Sequence, residues 1–120
     1  MIDPVRTEQA VANLVSNALK FTPPGGEVNL AAHRGDKMIE LTVSDSGVGI
    51  DPAEVERVFE RFYRSKAAVD TAVKGTGLGL AIVRTIVEAQ RGNVSVESTL
   101  GRGTSFRLTL PLADKLPEPV

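Results

Sequence analysis

Two glycine-rich turns place the strongest constraint on what this chain can fold into. Residues 45–50 read Asp-Ser-Gly-Val-Gly-Ile after a predicted strand, and residues 75–80 read Gly-Thr-Gly-Leu-Gly-Leu at the start of a predicted helix. Glycine lets a backbone approach a ligand closely, and a helix start offers free N–H donors to an anion. Together the turns favour a nucleotide site, with one turn for the base and the other for the phosphates.

The spacing of apolar residues predicts helices and strands around these turns. The first helix has a buried stripe of Val11, Leu14, Val15 and Ala18, and the last helix packs deeply through Leu78, Ile82, Val83, Ile86 and Val87. Helices are predicted at 5–20, 52–62 and 78–91, and strands at 27–34, 37–45, 93–99 and 104–112. The strands come in pairs, which argues against a Rossmann fold. We predict an α+β fold, a two-layer α/β sandwich whose mixed, mostly antiparallel sheet is covered by three helices. Residues 1–112 form the predicted domain, 63–76 a mobile loop, and 113–120 a frayed, disordered tail.

Composition argues against several functional classes. The 120 residues carry 14 basic and 15 acidic side chains, and this balance gives no support for binding nucleic acid or a membrane surface. The absence of cysteine rules out disulfide and thiol chemistry. The sequence shows no signal peptide and no apolar run long enough to span a bilayer. We therefore expect a cytoplasmic domain without direct membrane contact.

Strand parity directs two polar side chains toward the predicted core. Asp45 has the parity of Val43, and Thr104 has that of Phe106. A buried carboxylate needs a partner, which could be a ligand amine such as that of adenine, or the following turn. Thr104 could reach the same base edge or act only as a β-forming residue. The pattern leaves both pairs of alternatives open.

One face of the first helix gathers Asn13, Asn17 and Lys20, which are spaced at i, i+4 and i+7. Amide oxygens are suitable Mg²⁺ ligands and a lysine can neutralise phosphate, although a solvated helix flank would show the same pattern. Phe21, at the end of this helix, could stack on a base or fill the core.

The second turn, 75–80, could wrap an anion or simply allow tight packing of the helix on the sheet. Arg64 and Lys74 flank the preceding loop and could close over phosphates or remain surface charges. His33 has no acidic neighbour in the sequence and no second metal ligand.

Five sequence blocks, in order, resemble the N, G1, F, G2 and G3 boxes of sensor histidine kinases. They are residues 13–22, 45–50, 59–64, 75–80 and 101–106. The resemblance covers residues 3–112 and implies the Bergerat ATP-binding fold, shared with type II topoisomerases, mismatch-repair ATPases and a heat-shock chaperone. It also implies an ATP-dependent protein-histidine kinase domain of two-component signalling, with ATP and Mg²⁺ as cofactors.

The resemblance assigns roles to individual residues. Asn17 would coordinate Mg²⁺, Asn13 would support the metal–phosphate site, and Lys20 would contact phosphate. Asp45 would recognise the adenine amine, next to Phe21. The other residues assigned to the nucleotide are Gly47, Gly49, Ile50, Phe62, Tyr63, Lys74, Gly75, Thr76, Gly77, Leu78, Gly79, Leu80 and Thr104.

The expected catalytic set is Asn13, Lys20 and Arg64. In hydrolysing relatives a glutamate four positions before the Mg²⁺ asparagine activates water, whereas Asn13 is not a competent base. This difference fits a kinase that keeps its ATP from water. The implied partners are a histidine-bearing dimerisation domain of the parent kinase and a response regulator. We expect the isolated domain to be a monomer, and the parent to be anchored in the cell membrane.

Two other functions stay open at this stage. A serine kinase of the anti-sigma-factor type uses the same fold, and a nucleotide-binding module without catalysis would retain the same motifs. The full set of residues 59–64 and the full-length loop argue against the serine kinase, and the intact motifs argue against the non-catalytic module.

Overall fold

The computed structural model describes residues 3–60, 63 and 79–112, in which two α-helices pack on a four-stranded sheet. The elements are α1 (Pro4–Phe21), β1 (Val28–Arg34), β2 (Met38–Asp45), α2 (Gly79–Ala89), β3 (Asn93–Thr99) and β4 (Gly103–Pro111). The strand order is β1-β2-β4-β3, and every described pair is antiparallel. The predicted α+β fold is confirmed, although the described sheet is wholly antiparallel rather than mixed.

The α-helix predicted at 52–62 is wrong for the described part of that segment. The backbone there makes successive hydrogen bonds to the residue three positions earlier, and only Val55–Arg57 is helical, as a 3₁₀ helix. Val58 and Phe59, although adjacent, are both buried. Tertiary packing of these two side chains overrides the local helical pattern.

The predicted apolar stripe of α1 lies in the core. Leu14 and Ala18 are buried, Ala10 joins them, and Val11 and Val15 pack against them partly buried. The helix begins where the Asp3 carboxylate accepts the N–H groups of two residues in its first turn, which satisfies donors that have no partner within the helix.

Helix α2 buries Val83, Ile86 and Val87 beneath the sheet, as predicted. The expectation that Ile82 is also buried is wrong, because its side chain is 37% exposed. Successive helix residues are roughly 100° apart, so Ile82 lies on the flank of the buried face. No helix in the described ranges combines the length and apolarity needed to cross a membrane.

Candidate functional site

A cleft opens where the C-terminal end of α1 meets the first glycine turn and the start of β4. Its lining residues are Asn17, Phe21, Asp45, Gly49, Ile50, Val58 and Thr104. All of them except Val58 are residues that the sequence assigned to the nucleotide. Three elements distant in sequence therefore bring much of the predicted base and metal site to one place.

Asp45 is the half-buried acid in the wall of this cleft. It lies directly opposite Thr104 in the β2–β4 ladder, and its Oδ1 accepts the Gly47 N–H at 2.8 Å. Burial raises the pKa of the Asp45 carboxyl, while hydrogen bonds from the backbone of Gly47 and Thr104 act in the opposite direction. The side chain thus caps the following turn and lines the cleft at once, so the two alternatives are compatible.

The first glycine turn is held by close contacts between backbones. A Cβ atom on Gly47 would lie 2.3 Å from the Phe21 carbonyl oxygen, and one on Gly49 would lie 2.2 Å from that of Thr99. Gly49 also has a φ of +73°, where other residues are strained. The protein's own packing therefore requires both glycines.

Ser98 is a polar residue of the site that sequence reasoning missed. Its Oγ accepts the Ile50 N–H at 2.7 Å, donates to the Gly103 carbonyl at 3.0 Å, and lies 2.8 Å from Thr104 Oγ1. The available signal was parity, because Ser98 alternates on β3 with exposed residues and shares the inward face with Val96. This one hydroxyl joins the first glycine turn to β3 and β4.

The three polar residues of α1 differ in their surroundings. Asn13 and Asn17 are half-buried, whereas Lys20 is exposed in the last turn of the helix. Only Asn17 lines the cleft. Along the helix axis, Asn13 lies about 6 Å before Asn17 and Lys20 lies about 4.5 Å after it. No group of three His, Cys, Asp or Glu side chains could hold a metal among the residues described.

Several predicted site residues lie elsewhere in the described structure. The Tyr63 hydroxyl donates to Glu54 Oε1 at 2.5 Å, and the Arg57 guanidinium lies 4.5 Å from the centre of its ring. Burial, followed by the hydrogen bond to Glu54, raises the pKa of Tyr63. Gly79 begins α2, and Leu80 packs against the core partly buried. None of these three predicted residues lines the cleft.

The remaining predictions fall outside the described residues. They concern the loop at 63–76 beyond Tyr63, the tail at 113–120, and the site residues Phe62, Arg64, Lys74, Gly75, Thr76, Gly77 and Leu78. His33 is described: it is exposed on β1 and pairs with Glu40. Val28, the β1 residue that pairs with Asp45, lies five residues, or about 17 Å, away from His33 along the strand.

Comparison with known proteins places this chain in a family. A family model described as "Histidine kinase-, DNA gyrase B-, and HSP90-like ATPase" matches residues 2–114. Histidine protein kinase DivJ of Caulobacter vibrioides is 46% identical over 105 residues, which are 88% of this chain and 17% of DivJ. The chain spans only 17% to 29% of the length of such curated relatives.

Solved structures agree with the sequence comparison. The mycobacterial sensor histidine kinase MprB superposes with a TM-score of 0.79 at 36% identity, covering 91% of this chain and 74% of the solved one. Full-length ShkA, solved in complex with AMPPNP, gives 0.76 at 36% identity, covering 88% of this chain and 21% of ShkA. The described fold and the family match together confirm the predicted Bergerat fold, and the chain belongs to the histidine kinase-, DNA gyrase B- and HSP90-like ATPase family.

Proposed function

We propose that this domain binds Mg-ATP and donates the γ-phosphoryl group to a histidine on a separate dimerisation domain. The observation that carries the proposal is the cleft that joins Asn17 of α1, Asp45 of β2 and Thr104 of β4. An amide that suits a cation and an acid that suits a base amine line the same space. The AMPPNP complex of the structural neighbour ShkA supports a nucleotide as the occupant.

The base would enter between apolar walls and a polar end. Phe21, Ile50 and Val58 line the cleft and offer surfaces for the faces of an adenine ring. Asp45 and Thr104 are paired across the ladder at the polar end. An ionised carboxylate accepts hydrogen bonds only, so Asp45 suits the exocyclic amine of adenine.

The residues present fit a magnesium ion that travels with the nucleotide. Mg²⁺ keeps several waters and binds through one or two protein oxygens plus substrate phosphates, so it does not need an acidic cage. Asn17 would supply the amide oxygen, with Asn13 one turn away supporting the site. When bound, the ion would supply charge neutralisation on the phosphates.

Phosphoryl transfer would take place at an acceptor outside this domain. The bond from the γ-phosphorus to its bridging oxygen breaks, ADP leaves, and a nitrogen–phosphorus bond forms on the acceptor imidazole. Asn13 cannot act as a base toward water, so hydrolysis stays slow. Lys20, Arg64 and Lys74 would neutralise phosphate charge. The phosphoryl group would then pass to a response regulator, with the domain in the cytoplasm and its parent anchored in the membrane.

Calorimetric titration with ATP tests the nucleotide site. Asp45→Ala should lower ATP affinity by about 10- to 100-fold, because a hydrogen bond to a charged group contributes roughly 1.5–3 kcal/mol. Asp36→Ala, which removes an exposed acid from the β1–β2 connection, is the matched control and should bind normally. Unchanged affinity in Asp45→Ala would rule out its role in base recognition.

The metal role of Asn17 has a separate test. Asn17→Ala should weaken ATP binding in Mg²⁺ by about tenfold while changing binding in EDTA much less, because only the first condition uses the amide ligand. Asn29→Ala, on the exposed face of β1, is the control. Equal losses with and without Mg²⁺ would contradict the assignment.

Labelled ATP distinguishes the possible acceptors. Incubation with a histidine-bearing dimerisation domain should give an acid-labile, base-stable phosphoryl group on that domain. Acid-stable phosphoserine on another partner would instead favour the anti-sigma-factor type of kinase. Tight ATP binding without transfer to the acceptor domains supplied would favour the non-catalytic module.

A further inference from the structure

We propose that Ser98 is a positioning residue that fixes Thr104 as a hydrogen-bond acceptor in the cleft and so favours a 6-amino purine over a 6-oxo purine. The inference rests on the proposed function, because it concerns the base of the nucleotide that the cleft would bind. Its basis is the hydrogen-bond arrangement around one hydroxyl group.

The hydrogen-bond partners of Ser98 determine which acceptor its hydroxyl proton points to. The Ile50 N–H, at 2.7 Å, can only donate to Ser98 Oγ, and the Gly103 carbonyl, at 3.0 Å, can only accept from it. Ser98 has a single hydroxyl proton, which this carbonyl takes. Thr104 Oγ1, at 2.8 Å, must then donate its own proton to Ser98. The opposite direction would leave Ser98 Oγ facing the Gly103 oxygen with no proton between them.

This arrangement leaves the cleft with two acceptors side by side. The Thr104 hydroxyl donates its proton to Ser98 and keeps a lone pair that can accept a hydrogen bond. The ionised Asp45 carboxylate accepts hydrogen bonds only. The two residues are directly opposed in the β2–β4 ladder and both line the cleft. An amino group has two N–H donors to offer such a pair. A ring carbonyl at the same position would bring a third acceptor against them.

Burial makes this mismatch costly. Thr104 is only 8% exposed, so an unpaired oxygen there has little water to compensate it. Ser98 is the residue opposite Thr104 on the other side, in the β3–β4 ladder. Removal of the Ser98 hydroxyl would free the Thr104 hydroxyl to rotate and donate toward the cleft. The discrimination between amino and carbonyl groups would then fall.

The experiment measures dissociation constants for ATP and for inosine triphosphate, which carries the 6-oxo group, by calorimetry at pH 8. The quantity of interest is the ratio of the two constants. Wild type should prefer ATP, and Ser98→Ala should reduce that preference by about fivefold or more, the value of roughly one hydrogen bond. Ser95→Ala, the same change at an exposed site on β3, should leave the ratio unchanged.

A second variant separates positioning from general support of the fold. In a Thr104→Val background, Ser98→Ala should cause no further change in the ratio, because the residue through which Ser98 acts has lost its hydroxyl. Circular dichroism and thermal unfolding verify that each variant is folded.

The outcomes are distinguishable. An unchanged ratio in Ser98→Ala overturns the inference alone, provided that the wild-type chain binds ATP. A loss of preference that is equally large in the Thr104→Val background also overturns it. A folded wild-type chain that does not bind ATP overturns both the inference and the proposed function.

Discussion

At the scale of single residues, Asp45 combines a cost in stability with a proposed role in recognition. Its carboxyl is half-buried, and burial raises its pKa above the usual value despite two opposing backbone hydrogen bonds. The folded state therefore holds the proton more tightly than the unfolded chain does. Stability from this residue is fully present below the unfolded pKa and is lost as the pH rises through the folded pKa.

Asp45→Asn should for this reason stabilise the domain at neutral pH. The neutral amide removes the cost of a buried charge and keeps an oxygen that can accept the Gly47 N–H. The gain in the free energy of unfolding should be larger at pH 7 than near pH 3.5, because the buried wild-type carboxyl carries less charge at the lower pH. Urea unfolding at both values measures it, and a gain that does not vary with pH would contradict the explanation.

Gly49 is a second residue whose identity is dictated by its surroundings. Gly49→Ala should destabilise the domain by about 2–4 kcal/mol, since it adds both left-handed backbone strain and a clash with the Thr99 carbonyl. Gly101→Ala is the matched control, because its φ is +82° but nothing lies within 4 Å of the added Cβ. That change should cost only about 1 kcal/mol. Equal losses in urea unfolding would show that packing at Gly49 contributes nothing.

At the scale of elements, the end of α2 shows how a helix is terminated. The Gly92 N–H donates to the Val87 carbonyl at 2.9 Å, and Arg91, the residue just before this glycine, has a φ of +62°. The pattern is that of a helix closed by a left-handed residue, a position at which glycine is usual. Arg91 therefore has a strained backbone conformation in an otherwise ordinary helix cap.

Arg91→Gly should raise the free energy of unfolding by about 0.5–1 kcal/mol, because relief of left-handed strain exceeds the entropy that glycine adds to the unfolded chain. Arg91→Ala is the control: it removes the same charge and retains a Cβ, so it should bring no such gain. Thermal and urea unfolding measure both variants. Equal stability of the two would show that the lost arginine side chain, rather than the backbone, governs the change.

At the scale of the whole molecule, the strand order brings the site together. Placing β4 between β2 and β3 sets Asp45 and Ser98 on either side of Thr104. The end of α1 closes the same space through the hydrogen bond from the Val48 N–H to the Phe21 carbonyl, at 3.3 Å. A ligand in the cleft therefore contacts elements from both halves of the chain.

Nucleotide binding should for this reason stabilise the entire fold. At an ATP concentration 100 times the dissociation constant, the free energy of unfolding should rise by about 2.7 kcal/mol. Thermal unfolding over a series of Mg-ATP concentrations measures the effect. At the same ATP concentration Asp45→Ala, with its weaker binding, should gain only about 0.4–1.4 kcal/mol. A midpoint independent of ATP in the wild-type chain would contradict the proposed site.

The sequence by itself determined α1, α2 and the four strands, because apolar periodicity is a local property that backbone geometry converts directly into a buried face. Parity likewise predicted that Asp45 and Thr104 turn inward. Only the tertiary structure decided that residues 52–60 form tight turns around a short 3₁₀ helix instead of an α-helix, since burial of Val58 and Phe59 outweighs a weak local helical preference. It also decided the cross-strand registers that place Thr104 beside both Asp45 and Ser98, because pairing between segments far apart in sequence depends on the packing of the complete sheet.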